Sequence, residues 1–370
     1  MKWIFWGAAF FIAYTYAGYA GWLWLRLAWR SRPVMRGEFT PPVSIVMVVR
    51  NEAESLEAKL QNLFSLDYPA PQIVVVSDGS TDETEEILRR HEARLQAVLN
   101  RTAQGKASGL NDAIKFATGE IVAFTDVRQR IEPGAVRLLA SNFADPEVGC
   151  VSGELMLGDP AKGESSQGVS LYWRIEKLVR ELEAASGSVV GATGALYAVR
   201  RELLATVPAE TILDDVYLPM EVVRQGKRTV FDARARAWDA PNLGTEREFS
   251  RKVRTLSGNF QLVQLAPWLL TSQNPIRFEF VSHKLLRLLV PCALAVLLLS
   301  SLVLRGPFYR SVLILQIAFY ALSALALCRM LKAGMLSRIA DAAGTFVLLN
   351  GAALVALANF IAGRRVAWTR

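Results

Sequence analysis

The chain has 370 residues, 52% of them hydrophobic, and a formal net charge of +8. Its mean hydropathy is +0.24, and its apolar residues are segregated into charge-free runs at 3–25, 288–304, 311–328 and 342–363, which excludes an ordinary soluble enzyme. Basic charge gathers at the flanks of these runs, where anionic headgroups account for it; no basic run is interleaved with aromatics elsewhere, so nucleic acid is excluded as a partner.

Residues 1–28 are expected to form an N-terminal transmembrane anchor. A bilayer core of about 30 Å takes about 20 helical residues. The run is too long for the apolar part of a signal peptide, and no small-residue cleavage site follows it. Arg26, Arg30, Arg32 and Arg36 follow instead, which places this flank and the domain after it in the cytoplasm. Residues 40–245 carry the pattern of an α/β domain. Val43 to Val49 is a β-branched run of the kind that forms a buried parallel strand, and Leu56, Leu60, Leu63 and Phe64 recur at helical spacing. A second strand covers 73–76 and runs into Asp78. Ser80 and Glu83 then have the spacing of a capping box that opens the next helix. Strands at 95–100 and 120–125 flank a helix at 106–117. The alternation predicts a mostly parallel sheet with helices on both faces. A strand at 148–157, a helix at 169–186, a turn at 191–194, a strand at 195–199 and a helix at 216–225 follow. Trp173 and Glu176 on the 169–186 helix read as packing residues.

Residues 246–280 are expected to form amphipathic interfacial helices. Phe249, Val253, Leu256, Phe260 and Val263 make the apolar stripe, with Arg247, Arg251 and Arg254 off it. The region 281–363 holds about three membrane helices. Their topology stays open, because Arg305, Arg310, Arg329, Lys332, Arg338, Arg364, Arg365 and Arg370 spread basic charge over every loop. Cys150, Cys292 and Cys328 have no metal-ligand spacing and read as reduced thiols. His91 and His283 are too few to make a zinc site.

In open parallel sheets, ligands bind beyond the carboxyl ends of the strands. Asp78 and Asp126 both end strands and so face one crevice. Asp78 offers a carboxylate for a base or a sugar hydroxyl, and Asn51 and Glu52, after the first strand, for a base or ribose. Lys106, before a helix, brings a cation and backbone N–H groups suited to phosphate. Asp126 is a ligand for a hard cation such as Mg²⁺. Asp214 and Asp215 offer a general base, although acidic residues also suit a helix N-terminus. Together these residues describe a nucleotide-diphosphate site with a proton acceptor beside it. Two residues after Asp126 stands Arg128. Its guanidinium either points away or faces the diphosphate and takes over part of a metal's role; the second is the expectation here.

The sequences VSIVMVVRNE (43–52), IVVVSDGSTD (73–82), QGKASGLNDAI (104–114), FTDVRQ (124–129), LDD (213–215) and RKVRT (251–255) resemble, in that order, the motifs of family 2 glycosyltransferases. The resemblance spans about residues 40–260. It implies a GT-A fold and a membrane-bound, inverting enzyme. FTDVRQ takes the place of the metal-binding DxD motif, so Asp126 inherits the metal, Mg²⁺ or Mn²⁺, and Arg128 replaces the second ligand and weakens the metal dependence. LDD takes the place of the acidic acceptor motif, which makes Asp215 the catalytic base and puts Asp214 on the acceptor side. RKVRT takes the place of QxxRW: Arg254 remains as a donor-binding residue and Thr255 replaces the Trp, which weakens a reading of long polymer synthesis. The implied partners are a nucleotide-sugar donor, UDP-linked by expectation, a lipid or glycan acceptor, and the bilayer of a bacterial-type inner membrane. The implied role is cell-envelope or exopolysaccharide synthesis. A processive polysaccharide synthase and a catalytically inactive membrane scaffold of the same fold are the alternatives.

Overall fold

A computed structural model describes the chain except for residues 160–163, 166–170, 240–244, 329, 331–333 and 365–370. The start of the 169–186 helix, the join at 245/246, and Arg329, Lys332, Arg365 and Arg370 therefore lie wholly or partly outside the described residues, as does the side chain of Arg247. In chain order the elements are α1 (Lys2–Ala13), α2 (Tyr19–Trp29), β1 (Val43–Val49), α3 (Ala53–Phe64), β2 (Gln72–Asp78), α4 (Thr84–Arg90), β3 (Gln96–Asn100), α5 (Lys106–Phe116), β4 (Ile121–Phe124), β5 (Arg130–Ile131), α6 (Ala135–Ser141), β6 (Val148–Asp159), β7 (Glu164–Ser165), α7 (Leu171–Ser186), β8 (Tyr197–Arg200), α8 (Asp214–Arg224), β9 (Arg228–Asp239), α9 (Thr245–Leu265), α10 (Arg277–Phe280), α11 (Leu286–Val303), α12 (Pro307–Leu327) and α13 (Met335–Ile361).

The strands form one mixed sheet in the order β3-β2-β1-β4-β8-β6-β9-β5, with β7 paired to β6. The first half, β3 to β4, is parallel throughout. β8 then runs antiparallel to both β4 and β6, while β6 and β9 are parallel. β1 is buried along its whole length, and its side chains alternate between two cores. Val43, Ile45, Met47 and Val49 join α3, α4 and α6 on one face. Val46 and Val48 join α5 and α8 on the other. Burial on both faces is the reason the strand reads as a continuous apolar run instead of an alternating one.

Two expected details differ. The helix after β2 starts at Thr84 with no side-chain cap bond, so Ser80 and Glu83 make no capping box. Ser80 Oγ instead accepts the Asn51 N–H at 3.2 Å and Asp82 Oδ1 accepts the Thr84 N–H at 3.0 Å, closing the loop back on β1. The loop turns at Gly79, whose φ is +63°, and a Cβ there would lie 2.4 Å from the Ala103 nitrogen. Only glycine takes this conformation at this distance without cost.

Among the described residues, three helical stretches are long and apolar enough to cross a membrane: Arg277–Val303, Pro307–Leu327 and Met335–Ile361. The N-terminal helix is not among the three. It turns through a π-helical segment, Tyr14–Gly18, between α1 and α2. Tyr19 and Leu23 on α2 are buried against Val179 and Leu182 of α7, and Tyr14 Oη meets Ser282 Oγ at 2.9 Å. Two of α9's basic side chains turn onto the α/β domain: Arg251 lies 3.9 Å from Asp239, and Lys252 stands 5.8 Å from the centre of the Trp173 ring.

Candidate active site

The first expected residues shape the site more than they fill it. Asp78 ends β2 fully buried, and its two carboxylate oxygens accept the backbone N–H groups of Gln104 (2.7 Å) and Gly105 (2.9 Å). That pair of bonds fixes the loop from which α5 starts. Asn51, at φ +52°, accepts the Thr81 N–H at 2.8 Å, and the Glu52 N–H donates to Thr84 Oγ1 at 2.9 Å. Asn51 and Glu52 thus tie the end of β1 to the loop after β2, Asp78 ties the end of β2 to the loop before α5, and none of the three lines the cavity described next.

Lys106, the first residue of α5, projects from this loop into a cluster of carboxylates. Its ammonium lies 2.9 Å from Asp126 Oδ1 and 3.3 Å from Asp214 Oδ1. Burial would lower the lysine's pKa, but the charges of Asp126 and Asp214 outweigh it and hold the group protonated. Asp214 and Asp215 open α8. Burial raises the pKa of Asp214, against the pull of Lys106. Asp215 is half-buried, and its carboxyl is pushed up to about 6 by burial and by Asp214, with Lys106 and Lys284 opposing. Its Oδ2 accepts the Gly194 N–H at 2.9 Å. A Cβ on Gly194 would sit 3.4 Å from Oδ2 of both Asp126 and Asp215, so these carboxylates face each other across a bare backbone.

Lys106 and Asp214 open onto a cavity of about 760 Å³ that Arg50, Gln104, Arg254, Gln261 and the end of α13 also line. The Nε atoms of Arg50 and Arg254 are buried and have no hydrogen-bond partner among the described residues. Arg254, expected to bind a donor, lines this cavity. Arg50 was not singled out from the sequence, although it directly precedes Asn51 at the end of β1. Asn359, Phe360, Gly363 and Arg364 line the same cavity. Phe360 stacks on Phe260 of α9 with ring centroids 4.9 Å apart. Nothing in an apolar membrane run announces that its end will wall a polar pocket.

Arg128 departs from the expectation that it faces a diphosphate. Its Nη2 donates to both carboxylate oxygens of Asp239, at 3.1 and 3.3 Å. Asp239, buried at the end of β9, also accepts from Gln129 Nε2 at 3.2 Å. A buried carboxylate needs such partners, and it draws the guanidinium away from Asp126. The cation beside Asp126 is Lys106. Beneath the same loop, Lys59 is buried and donates to Thr125 Oγ1 (2.8 Å) and the Gln129 carbonyl (2.6 Å). Burial pushes its pKa down to about 7.

Among the described residues no three His, Cys, Asp or Glu side chains cluster as a metal cage. Asp126, whose side chain is 40% exposed, is the carboxylate at the strand end with an open face. That fits a divalent cation of the Mg²⁺ type, which takes one or two protein carboxylates and completes its shell with substrate phosphate and water.

Residues 44–207 match the model of the family described as "Glycosyl transferase family 2". The chain contains a family 2 glycosyltransferase domain. It is 21% identical over 220 residues to a poly-β-1,6-N-acetyl-D-glucosamine synthase of Staphylococcus aureus (strain COL), covering 58% of this chain and 53% of that protein. It is 24% identical over 205 residues to the synthase of the same name from Staphylococcus epidermidis, covering 53% of this chain and 49% of the relative. The chain thus spans about half the length of the curated relatives it matches. A mannosyltransferase from Pyrobaculum calidifontis, solved with GDP-Man and Mn²⁺, superposes with a TM-score of 0.75 over 97% of this chain and 99% of that one, at 22% identity. This likeness shows the GT-A fold, membrane-capable helices included.

Proposed function

We propose that this glycosyltransferase is membrane-bound and inverting, and that it moves a sugar from a nucleoside-diphosphate donor to a lipid-linked or glycan acceptor at the cytoplasmic face of a bacterial-type inner membrane. Residues 1–28 anchor it, 40–245 form the transferase domain, 246–280 link that domain to the membrane, and 281–363 span it. The observation that carries the reading is the meeting of Asp126, Lys106, Asp214 and Asp215 at the carboxyl ends of the strands, beside a cavity lined by Arg50 and Arg254.

In this mechanism Asp215 takes the proton of an acceptor hydroxyl as its oxygen attacks the anomeric carbon. The bond from that carbon to the diphosphate oxygen breaks, and the departing nucleoside diphosphate keeps the electron pair. A pKa of about 6 suits the base, since it is ionised at neutral pH yet still basic. Lys106, Arg254 and Arg50 stabilise the charge gathering on the leaving group. A divalent cation held by Asp126 would add to this by neutralising the diphosphate. Asp78, Asn51 and Glu52 hold the loops that receive the donor, and Asp214 holds Lys106 on the acceptor side.

The test is release of nucleoside diphosphate by the detergent-purified chain over a panel of UDP-sugars and GDP-mannose, UDP-N-acetylglucosamine first. Release by wild type and its loss in Asp215→Asn are the expected results, and undiminished release by the variant overturns the assignment of the base. The names of the staphylococcal relatives favour a second reading, polymer synthesis. Product length by mass spectrometry separates a single transferred sugar from a polymer. Nucleotide binding with no turnover of any donor would leave the inactive scaffold.

A further inference from the structure

Away from the cleft, a group of buried ionisable side chains sits where the domain meets the first membrane-capable stretch. At its centre is Glu183 of α7, which is 0% exposed. Tyr19 Oη donates to its Oε1 at 2.7 Å, His283 Nδ1 lies 2.8 Å from the same oxygen, and the Val190 N–H donates to Oε2 at 3.2 Å. The other ring nitrogen of His283 lies 3.0 Å from Glu176, which also pairs with Arg287. His283 thus bridges Glu183 and Glu176 through its two ring nitrogens.

Two of the three partners of Glu183 come from membrane-flanking helices: Tyr19 from α2 and His283 from the π-helical turn Val281–Leu285 before α11. The third leads to the active site. Val190 begins a five-residue segment in which the Ala192 N–H donates to the Asp215 carbonyl (2.6 Å), the Thr193 N–H to Ser152 Oγ (3.1 Å) and the Gly194 N–H to Asp215 Oδ2 (2.9 Å). Glu183 therefore holds one end of a short strap whose other end holds Asp215.

A carboxylate buried this deeply needs its hydrogen-bond partners in place, so the bonds of Glu183 select one arrangement of the groups they join. Here the arrangement selected is that of the strap. We propose that Glu183 is a positioning residue for Asp215 and is itself set by Tyr19 and His283, so that the docking of the membrane helices fixes the geometry of the base. This rests on the reading of Asp215 as base. The next residue on the same turn, Lys284, adds a charge that favours ionised Asp215, together with Lys106 and against Asp214 and Asp126.

The experiment uses the full chain in lipid nanodiscs with the variants Tyr19→Phe, His283→Gln and Glu183→Gln. Hydrogen exchange of the 189–196 backbone is measured first, then kcat, KM and the pH profile with UDP-N-acetylglucosamine as probe donor. Exchange at 190–194 is expected to rise at least tenfold in His283→Gln and Glu183→Gln, and less in Tyr19→Phe, which loses a single hydroxyl and keeps the fold. kcat is expected to fall with KM nearly unchanged. The acid limb should move to higher pH, because Asp215 loses the Gly194 N–H that favours its charged form. Wild-type exchange and a wild-type acid limb in folded Tyr19→Phe and His283→Gln, with only Tm lowered, would mean mere structural glue and would overturn the proposal. Transfer retained by Asp215→Asn would remove the base and leave the exchange result standing, so the two failures are distinguishable.

Discussion

At Asp215, one carboxylate in a crowd of charges would, as the proposed base, set the pH range of the reaction. Its pKa of about 6 arises from burial and the neighbouring Asp214. Turnover should therefore rise with pH through about 6 and level off above it, and a pH–rate profile under saturating donor checks this. Asp215→Asn should cost about 10²–10⁴-fold in kcat, the usual worth of a positioned base, with nucleotide affinity kept. A raised carboxylate pKa also means that stability is present at low pH and lost as the pH rises through the folded value. The same variant should therefore melt a few degrees higher than wild type at pH 7.5, as differential scanning fluorimetry would read. Lys106 gives a second prediction. Because its ammonium already stands beside Asp126, EDTA should lower turnover severalfold without abolishing it, and Mn²⁺ or Mg²⁺ should restore it. Lys106, Asp126, Asp214 and Asp215 were legible because strand ends and a helix start put them in one crevice. The partner of Arg128 was not: Asp239 lies 111 positions away, and sequence spacing says nothing about which distant carboxylate turns a guanidinium aside.

Among the elements, the turn at 191–194 and the loop at 125–129 frame the chemistry from opposite sides. Gly194→Ala would place a methyl between Asp126 and Asp215 at ordinary contact distance. The fold should survive with an unchanged melting curve, while kcat falls by about 10²-fold, as misplacement of reacting groups does. Lys59 under the other loop makes a stability prediction of opposite pH sense to Asp215. Its pKa is depressed to about 7, so the unfolded chain binds more protons above that value, and stability should rise as pH is raised from 7 to 9. Lys59→Met should flatten that rise in Tm. The parallel half of the sheet was readable because β1, β2 and β4 are buried on both faces and each carries an unbroken apolar run of at least four residues. β9 was passed over: Arg228, Arg234 and Arg236 break up its apolar signal, and only the fold shows that Arg228 reaches the carbonyls of Arg32 and Ala184 while Arg234 pairs with Asp232 two positions back on the same strand.

For the whole molecule, charge-free length indicated the three membrane-capable stretches near the C-terminus, since a span is a local property of composition. How those helices meet the domain is not local. Tyr19, His283 and Phe360 each lie in or beside an apolar run, and each touches a distant helix, Tyr19 reaching Glu183 across 164 positions and His283 across 100. Removing residues 356–370 should therefore weaken binding of the nucleotide sugar more than it weakens the fold, which titration calorimetry and melting on the truncated chain would separate. The end of α13 also gives the surrounding lipid a say in the chemistry. A helix of 27 residues is about 40 Å long, longer than a typical hydrocarbon core, and such helices tilt to fit the bilayer around them. Tilting α13 would swing Asn359 and Phe360, and with them one wall of the cavity beside Lys106. Under the proposed reading, membrane thickness thereby becomes a dial on donor affinity.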